Sequence, residues 1–187
     1  MTRLHAVLLA VVLFLTQAVS AQSTTTPPSA DEVVSSACKV AAATHRSVFI
    51  IFHASWCGWC HRMDSLMVTP ACKSLFEDHY VIRHLVIMES KDKKALENPG
   101  AQELYTKYAG PQGQGIPFWL IIDAKGNVVA DSRVKADGAA PGSAGNNTGC
   151  PAEPDEVVYF LKVLHATSSL SDDQLHTIST IFTIHRS

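Results

Sequence analysis

Two cysteines separated by two residues, Cys57 and Cys60, lie within the sequence ASWCGWCHRMD of residues 54–64. The spacing C-x-x-C is that of a redox dithiol, in which two thiols form and break one disulfide. Because His61 follows at once, the same residues also have the spacing C-x-x-C-H, at which a c-type haem is attached. The segments on either side of the motif have to distinguish these two chemistries.

A buried strand and a helix are predicted on the two sides of the motif. The apolar residues 47–53 (SVFIIFH) stand directly before it and indicate a strand buried on both faces, as central parallel strands are. Residues 60–74 have helical character, with a break expected at Thr69-Pro70 because proline cannot continue a helix. The dithiol is therefore expected between a buried strand and the start of a helix.

Position at a helix start predicts different roles for the two cysteines. Unpaired backbone N–H groups and the positive end of the helix dipole favour a thiolate at Cys57, which makes it the expected nucleophile. Cys60 lies one turn further into the helix and is expected to resolve the mixed disulfide. Gly58 is expected to permit the tight approach at the dithiol, and Trp56 to give an apolar surface beside the nucleophile.

The remaining segments alternate between helices and strands. The patterns predict helices over about 30–45, 101–108, 155–165 and 171–185, and strands over 81–88, 117–123 and 128–131, the last two forming a hairpin. Ser29-x-x-Glu32 has the form of a capping box for the first helix. Residues 135–151 are rich in Gly, Ala, Pro and Asn and predict a long loop. This order indicates an α/β fold with a mixed central β-sheet and helices on both faces.

Three segments resemble the thioredoxin superfamily. VFIIFHASWCGWCHRMD is similar to that family's strand, active-site loop and helix start, and Gly115-Ile116-Pro117, just before a hydrophobic strand, resembles its cis-proline segment. The hairpin PFWLIIDAKGNVVADS is also family-like, so the resemblance covers roughly residues 30–164. It implies a thioredoxin fold with extra N-terminal and C-terminal helices. It also implies that Pro117 stands opposite the dithiol and that Ile116 offers backbone to the substrate.

The resemblance implies a thiol–disulfide oxidoreductase that exchanges disulfides with protein substrates and is involved in cell redox homeostasis. Cys57 and Cys60 would carry the reaction without a cofactor or a metal, and a redox partner would have to reset the dithiol. Trp59 stands between the cysteines, where thioredoxin has Pro and the eukaryotic disulfide isomerases have His. Since an indole supplies no charge, we expect neither a very strong oxidant nor an isomerase, and the direction of electron flow stays open.

A second departure from the family lies in the strand before the motif. Thioredoxins usually carry a buried Asp six residues before the first cysteine, where this chain has Ile51. His53 lies on the same face of the strand by the period of two and is a candidate acceptor for the Cys60 proton. A histidine with a satisfied hydrogen bond in the core or at its rim explains His53 equally well. His61 is expected to face solvent in the first helical turn and to tune Cys57.

Three other functions remain as alternatives. A c-type haem protein would use Met63, Met67 or Met88 as an axial ligand, but it gives the Ile116-Pro117 segment no role. A structural zinc site is weaker still, since no second ligand pair at zinc-finger spacing exists. The alternative of another class is a thioredoxin-fold binding module that docks extended segments of partner proteins without turnover.

The N-terminus has the pattern of a signal peptide. Arg3 precedes an apolar run over residues 6–15 that is too short to span a bilayer, and residues 16–21 (TQAVSA) offer a cleavage site. We therefore expect a signal peptide at 1–21, a flexible linker at 22–28 and one thioredoxin-like domain at 29–187, with its core at about 30–164 and a C-terminal helical extension at 170–187. Export to the periplasm or the exterior follows, where disulfides persist.

Composition limits the partners. The chain has 187 residues and a formal net charge of −2 without a basic stripe, which gives nucleic-acid binding little support. After signal cleavage we expect a monomer without membrane contact, whose partners are protein thiols and disulfides. Of the other cysteines, Cys38 and Cys72 are expected to be small buried hydrophobes on opposite faces of the sheet. The loop before Cys150 is expected to overhang the dithiol, which makes Cys150 a candidate regulatory thiol.

Overall fold

The computed structural model describes residues 26–184. The expected signal peptide and the first part of the expected linker lie outside these residues. Within them, no helix is long and apolar enough to cross a membrane.

Four strands form the central sheet: β1 (Ser47–His53), β2 (Tyr80–Val86), β3 (Phe118–Ile122) and β4 (Val128–Asp131). Their order in the sheet is β2-β1-β3-β4. β1 runs parallel to β2 and antiparallel to β3, with Phe52 opposite Phe118, and β4 returns antiparallel to β3 as the predicted hairpin. The sheet is therefore mixed, as the order of elements predicted.

Within the described residues, six helices surround the sheet: α1 (Ala30–Thr44), α2 (Gly58–Met67), α3 (Lys73–Glu77), α4 (Ala101–Ala109), α5 (Pro154–Thr167) and α6 (Asp172–Ile184). A 3-10 helix, Lys91–Leu96, occupies the charged stretch after β2. The capping box of Ser29 and Glu32 is formed at the start of α1. The predicted break at Thr69-Pro70 is also present, because α2 ends at Met67 and α3 begins at Lys73.

Alternation along β1 divides the core into two layers. Val48, Ile50 and Phe52 pack with residues of α1 and α4 on one face of the sheet. Phe49 and Ile51 point to the other face, where residues of α2, α3, α5 and α6 cover them. Both faces of β1 are buried, which is why its sequence is apolar without interruption. The predicted α/β fold with helices on both faces is confirmed.

The segment predicted as a long loop is closed at its base by two short strands, β5 (Arg133–Val134) and β6 (Asn146–Asn147). At Gly145 a Cβ would lie 2.3 Å from the Val134 carbonyl oxygen, so this approach of the two arms requires glycine. The expectation that the loop overhangs the dithiol is wrong for its tip, because residues 135–141 lie against α5, where Asp137 pairs with Lys162.

A buried carboxylate at the end of β4 holds this loop in place. Asp131 is fully buried, and its side chain accepts hydrogen bonds from the Lys135 ammonium at 2.5 Å, the Gly142 N–H at 2.6 Å and the Arg133 N–H at 2.9 Å. The Tyr159 hydroxyl of α5 donates to the Asp131 carbonyl oxygen at 3.0 Å. One residue therefore joins both arms of the loop to the sheet and to α5.

Substituting Asp131→Asn should lower the free energy of unfolding by about 3–5 kcal/mol, because the buried Lys135 ammonium then loses its counter-charge. Chemical denaturation measures this difference. The matched control is Asp137→Asn, which removes an exposed ion pair and should cost no more than about 1 kcal/mol. Equal losses in the two variants would contradict an anchoring role for Asp131.

Candidate active site

The two cysteines of the motif lie at the start of α2 and form a disulfide. Cys57 is the N-cap residue, and its sulfur accepts a hydrogen bond from the Cys60 N–H at 3.1 Å. The predicted placement of Cys57 among the first N–H groups of a helix is therefore confirmed. These groups, together with the helix dipole, stabilise negative charge on the sulfur when the disulfide opens.

The disulfide is covered on both sulfurs. Cys60 is fully buried, as expected for the inner cysteine, but Cys57 is only 3% exposed as well, which the sequence did not predict. Ala54 and Ile116 pack around the pair. The neighbouring indoles are exposed, Trp56 by 58% and Trp59 by 54%, so they form the accessible apolar surface of the site.

The Ile116-Pro117 segment meets the disulfide as the resemblance implied. Its peptide bond is cis, and the Ile116 carbonyl oxygen lies 3.6 Å from the Cys57 sulfur. From α4, the Tyr105 hydroxyl accepts a hydrogen bond from the N–H of residue 114 and donates one to the carbonyl of residue 115. The backbone opposite the cysteines is thus held by a side chain of a neighbouring helix.

Asn147 holds the same segment from the other side, a role that the sequence analysis did not predict. Its amide N–H donates to the Pro117 carbonyl at 3.0 Å and to the Gln114 carbonyl at 3.2 Å. Its amide oxygen accepts from the Ser132 hydroxyl at 2.6 Å and from the Gly149 N–H at 3.1 Å. Because most of these partners are distant in the chain, no local spacing could have indicated the role.

Glu89 is a second residue that sequence reasoning missed. Its carboxylate is 4% exposed and accepts hydrogen bonds from the Ser55 N–H at 2.5 Å and the Ser55 hydroxyl at 2.9 Å. Burial opposes ionisation, but these hydrogen bonds and the nearby Lys93 charge hold the pKa of Glu89 below its ordinary value. The neighbouring Met88 carbonyl accepts from the Trp56 ring N–H at 2.7 Å. Residues after β2 therefore fix the loop that leads to Cys57.

His61 and Gly58 differ in part from expectation. His61 is exposed, as predicted, and its ring N–H donates to the Ser55 carbonyl at 2.9 Å, so it also braces the loop before Cys57. A Cβ built on Gly58 would meet no atom within 4 Å. The packing of the described chain therefore does not itself require glycine at that position.

His53 belongs to a cluster beneath the first turns of α2. Its ring centroid lies 4.8 Å from that of His84, whose ring N–H donates to the Asp64 carboxylate at 2.8 Å. Within residues 26–184, the buried Nδ1 of His53 has no hydrogen-bond partner. Burial and, secondly, the His84 charge lower the pKa of His53, while Asp64 opposes the shift. His53 is thus a neutral imidazole at pH 7, on the same face of β1 as the buried Ile51.

The three remaining cysteines are free thiols. Cys38 packs against the layer of α1 and α4, and Cys72 lies in the core on the other face of the sheet. Cys150 is 4% exposed, and burial raises its pKa to about 11 although the Arg62 guanidinium nearby favours the thiolate. At neutral pH all but a trace of Cys150 is therefore a protonated thiol. Among residues 26–184, no three His, Cys, Asp or Glu side chains are arranged to hold a metal ion.

A family model described as thioredoxin-like matches residues 30–124, from the start of α1 to the beginning of the turn after β3. The chain belongs to the thioredoxin-like family. This membership favours a redox dithiol over haem attachment for the C-x-x-C-H motif of this thioredoxin-like protein. No curated protein matches the chain closely enough to count as a relative.

Three solved structures illustrate what this thioredoxin-like protein is similar to. A disulphide isomerase from Xylella fastidiosa Temecula1 is 22% identical and covers 52% of this chain and 69% of its own, with a TM-score of 0.42. A protein called DsbH oxidoreductase is 19% identical over 71% of this chain and 80% of its own, with a TM-score of 0.42. A thioredoxin from Thermus thermophilus is 23% identical over 71% and 81%, with a TM-score of 0.41.

We expect Cys150 to resist alkylation by iodoacetamide at pH 8 in the folded protein, because only about one thiol in a thousand is ionised when the pKa is three units higher. Mass spectrometry of the tryptic peptide measures the modified fraction over time. The same protein in concentrated urea is the control, in which Cys150 should react like an ordinary cysteine. Equal rates in the two states would contradict the burial of this thiol.

Proposed function

We propose that this protein is an exported thiol–disulfide oxidoreductase that exchanges disulfides with protein substrates and is involved in cell redox homeostasis. The observation that carries the proposal is the Cys57–Cys60 disulfide at the start of α2, with the Ile116 carbonyl 3.6 Å from the Cys57 sulfur. A helix start stabilises the thiolate that attacks, and the backbone at Ile116 offers a docking edge for an extended substrate.

In the reducing direction, the Cys57 thiolate attacks one sulfur of a substrate disulfide. A bond forms between the Cys57 sulfur and that sulfur, while the substrate disulfide breaks and its other sulfur leaves as a thiolate that takes up a proton. Cys60 then loses its proton and attacks the Cys57 sulfur, which forms the Cys57–Cys60 disulfide and releases the second substrate thiol. Two electrons have passed to the substrate, and a protein dithiol must reduce the enzyme again. The oxidising direction runs through the same steps in reverse.

His53 is the proposed acceptor for the proton of Cys60. It lies on β1 beneath the first turns of α2, its Nδ1 is buried without a hydrogen-bond partner among residues 26–184, and burial lowers its pKa. A neutral imidazole has the free lone pair that a general base needs. The charged groups that bear on it are His84 from β2, Asp64 and His61 from α2, and Glu89 from the segment after β2.

Export is part of the proposal. The N-terminal residues 1–21 have the pattern of a signal peptide, and a dithiol enzyme of this kind acts on disulfides that persist in the periplasm or outside the cell. The expected partners are protein thiols or disulfides and a redox protein that resets the dithiol, for a monomer without a cofactor.

The reduced protein should reduce insulin disulfides, and Cys57→Ser should lower turnover to the uncatalysed rate because the attacking sulfur is gone. Cys60→Ser should instead accumulate a mixed disulfide between Cys57 and the substrate, which non-reducing electrophoresis detects. Cys38→Ser, which removes a cysteine far from the motif, is the control and should keep wild-type turnover. Peptide binding by Cys57→Ser together with no turnover by the wild type would favour a binding module instead.

The variant His53→Asn should resolve the mixed disulfide about a hundredfold more slowly at pH 7, the usual contribution of a general base. In the wild type the rate should fall as the pH drops through the lowered pKa of His53, since the protonated ring accepts no proton. The variant should lack this acid decline in stopped-flow measurements. His165→Asn, at an exposed position of α5, is the matched control. An unchanged rate and pH profile in His53→Asn would exclude the role.

A further inference from the structure

A groove of about 300 Å³ opens beside the disulfide. Trp59, Ile116 and Pro117 line it next to the cysteines, and residues from the segment 147–156 form the rest of its lining. Ile116 also contacts the Cys57 sulfur. When a substrate cysteine is bonded to that sulfur, the residues next to this cysteine therefore lie over the groove. The volume is at the low end of ligand sites, about 300–1,000 Å³, and suits one long side chain better than a whole ligand.

The far wall of the groove is fixed to the rest of the site. Asn147 donates to the Pro117 carbonyl at 3.0 Å, and the Trp119 ring N–H donates to the Gly149 carbonyl at 3.0 Å. The Thr148 hydroxyl donates to the Ser132 carbonyl at 3.0 Å. The segment that closes the groove is therefore part of the folded core, and the groove exists before a substrate arrives.

The charged residues that line the groove are Glu153 and Glu156, both at the start of α5. One oxygen of Glu156 accepts hydrogen bonds from the N–H groups of Ala152 and Glu153, each at 3.0 Å, which orients its carboxylate. Arg62 lies over the Trp59 indole at 5.2 Å and beside the Cys150 thiol, but it is not among the lining residues. The groove thus has an apolar end at the disulfide and an acidic end at α5.

We infer that this groove receives a basic side chain, Lys or Arg, that lies next to the reacting cysteine of the protein substrate. The inference rests on the proposed function and adds the substrate class to it. The aliphatic stem of such a side chain packs on Trp59 and Pro117, while its charge reaches the two carboxylates. An acidic side chain at the same place would meet like charges, so the groove discriminates between substrates by charge.

Three synthetic peptides with one disulfide test this inference. They differ only at the two residues that flank the cysteine attacked by Cys57. These two residues are both Lys, both Met or both Glu. Reduction by the reduced protein should show a kcat/KM for the Lys peptide about three- to tenfold above that of the Met peptide, as expected for partly exposed charge pairs. The Glu peptide should be slower than the Met peptide. The Lys advantage should shrink at high salt, because salt screens the charges.

Variants identify the carboxylates. In the double variant Glu153→Gln with Glu156→Gln, the ratio of the Lys to the Met peptide should fall to about one, since only the charges are removed and Gln keeps a hydrogen-bond acceptor at the helix start. Asp155→Asn is the matched control, an exposed carboxylate of the same helical turn that does not line the groove, and it should keep the ratio. Thermal unfolding of each variant verifies that it is folded.

The outcomes distinguish a failure of the basic subsite from a failure of the proposed oxidoreductase function. Equal kcat/KM values for the three peptides, or a ratio that Asp155→Asn lowers as much as the double variant does, would overturn the groove as a basic subsite. Turnover of none of the peptides would overturn the proposed function. In that case, calorimetry measures the affinity of the oxidised protein for the Lys and Met peptides. The ratio of the two affinities, compared between the wild type, the double variant and Asp155→Asn, then tests the groove.

Discussion

The antiparallel pairing of β1 with β3 is the constraint on which the site depends. Phe52, near the end of β1, lies opposite Phe118, the first residue of β3. The chain that leaves β1 toward Cys57 therefore meets the chain that enters β3 from Ile116 and Pro117. A shift of this register by one residue would turn every side chain of the strand to the other face. Burial of β1 on both sides and of all of β3 prevents such a shift.

Side chains from distant segments hold the two loops next to the disulfide, the one before Cys57 and the one before β3. Glu89 accepts two hydrogen bonds from Ser55 on one side, and Asn147 donates to the carbonyl of Pro117 on the other. Both replace hydrogen bonds to water that these backbone groups would otherwise need. The loops at the site are therefore rigid although they contain little regular structure, and a fixed geometry reduces what substrate binding must order.

Burial determines which groups near the disulfide carry charge. It lowers the pKa of His53 and raises that of Cys150 to about 11, so both are neutral at pH 7. Glu89 is buried as well, but hydrogen bonds from Ser55 stabilise its ionised form. The hydrogen-bond partners of each group, and not its depth of burial alone, explain why Glu89 is ionised while His53 and Cys150 are neutral. A buried charge persists only where hydrogen bonds or opposite charges replace its hydration. At Cys150 the nearby Arg62 guanidinium favours the thiolate but does not outweigh burial, so this thiol stays protonated.

Local patterns in the sequence determined the elements, the dithiol and the family. The apolar run of β1, the capping box of Ser29 and Glu32 and the break at Thr69-Pro70 each depend on neighbouring residues, and so they were readable without a structure. The tertiary structure alone decided the covering of Cys57, the partners of Glu89 and Asn147, the path of the loop after β5 and the acidic groove. All of these are contacts between residues far apart in the chain, whose distances depend on how the whole sheet and its helices pack, and no spacing along the sequence encodes them.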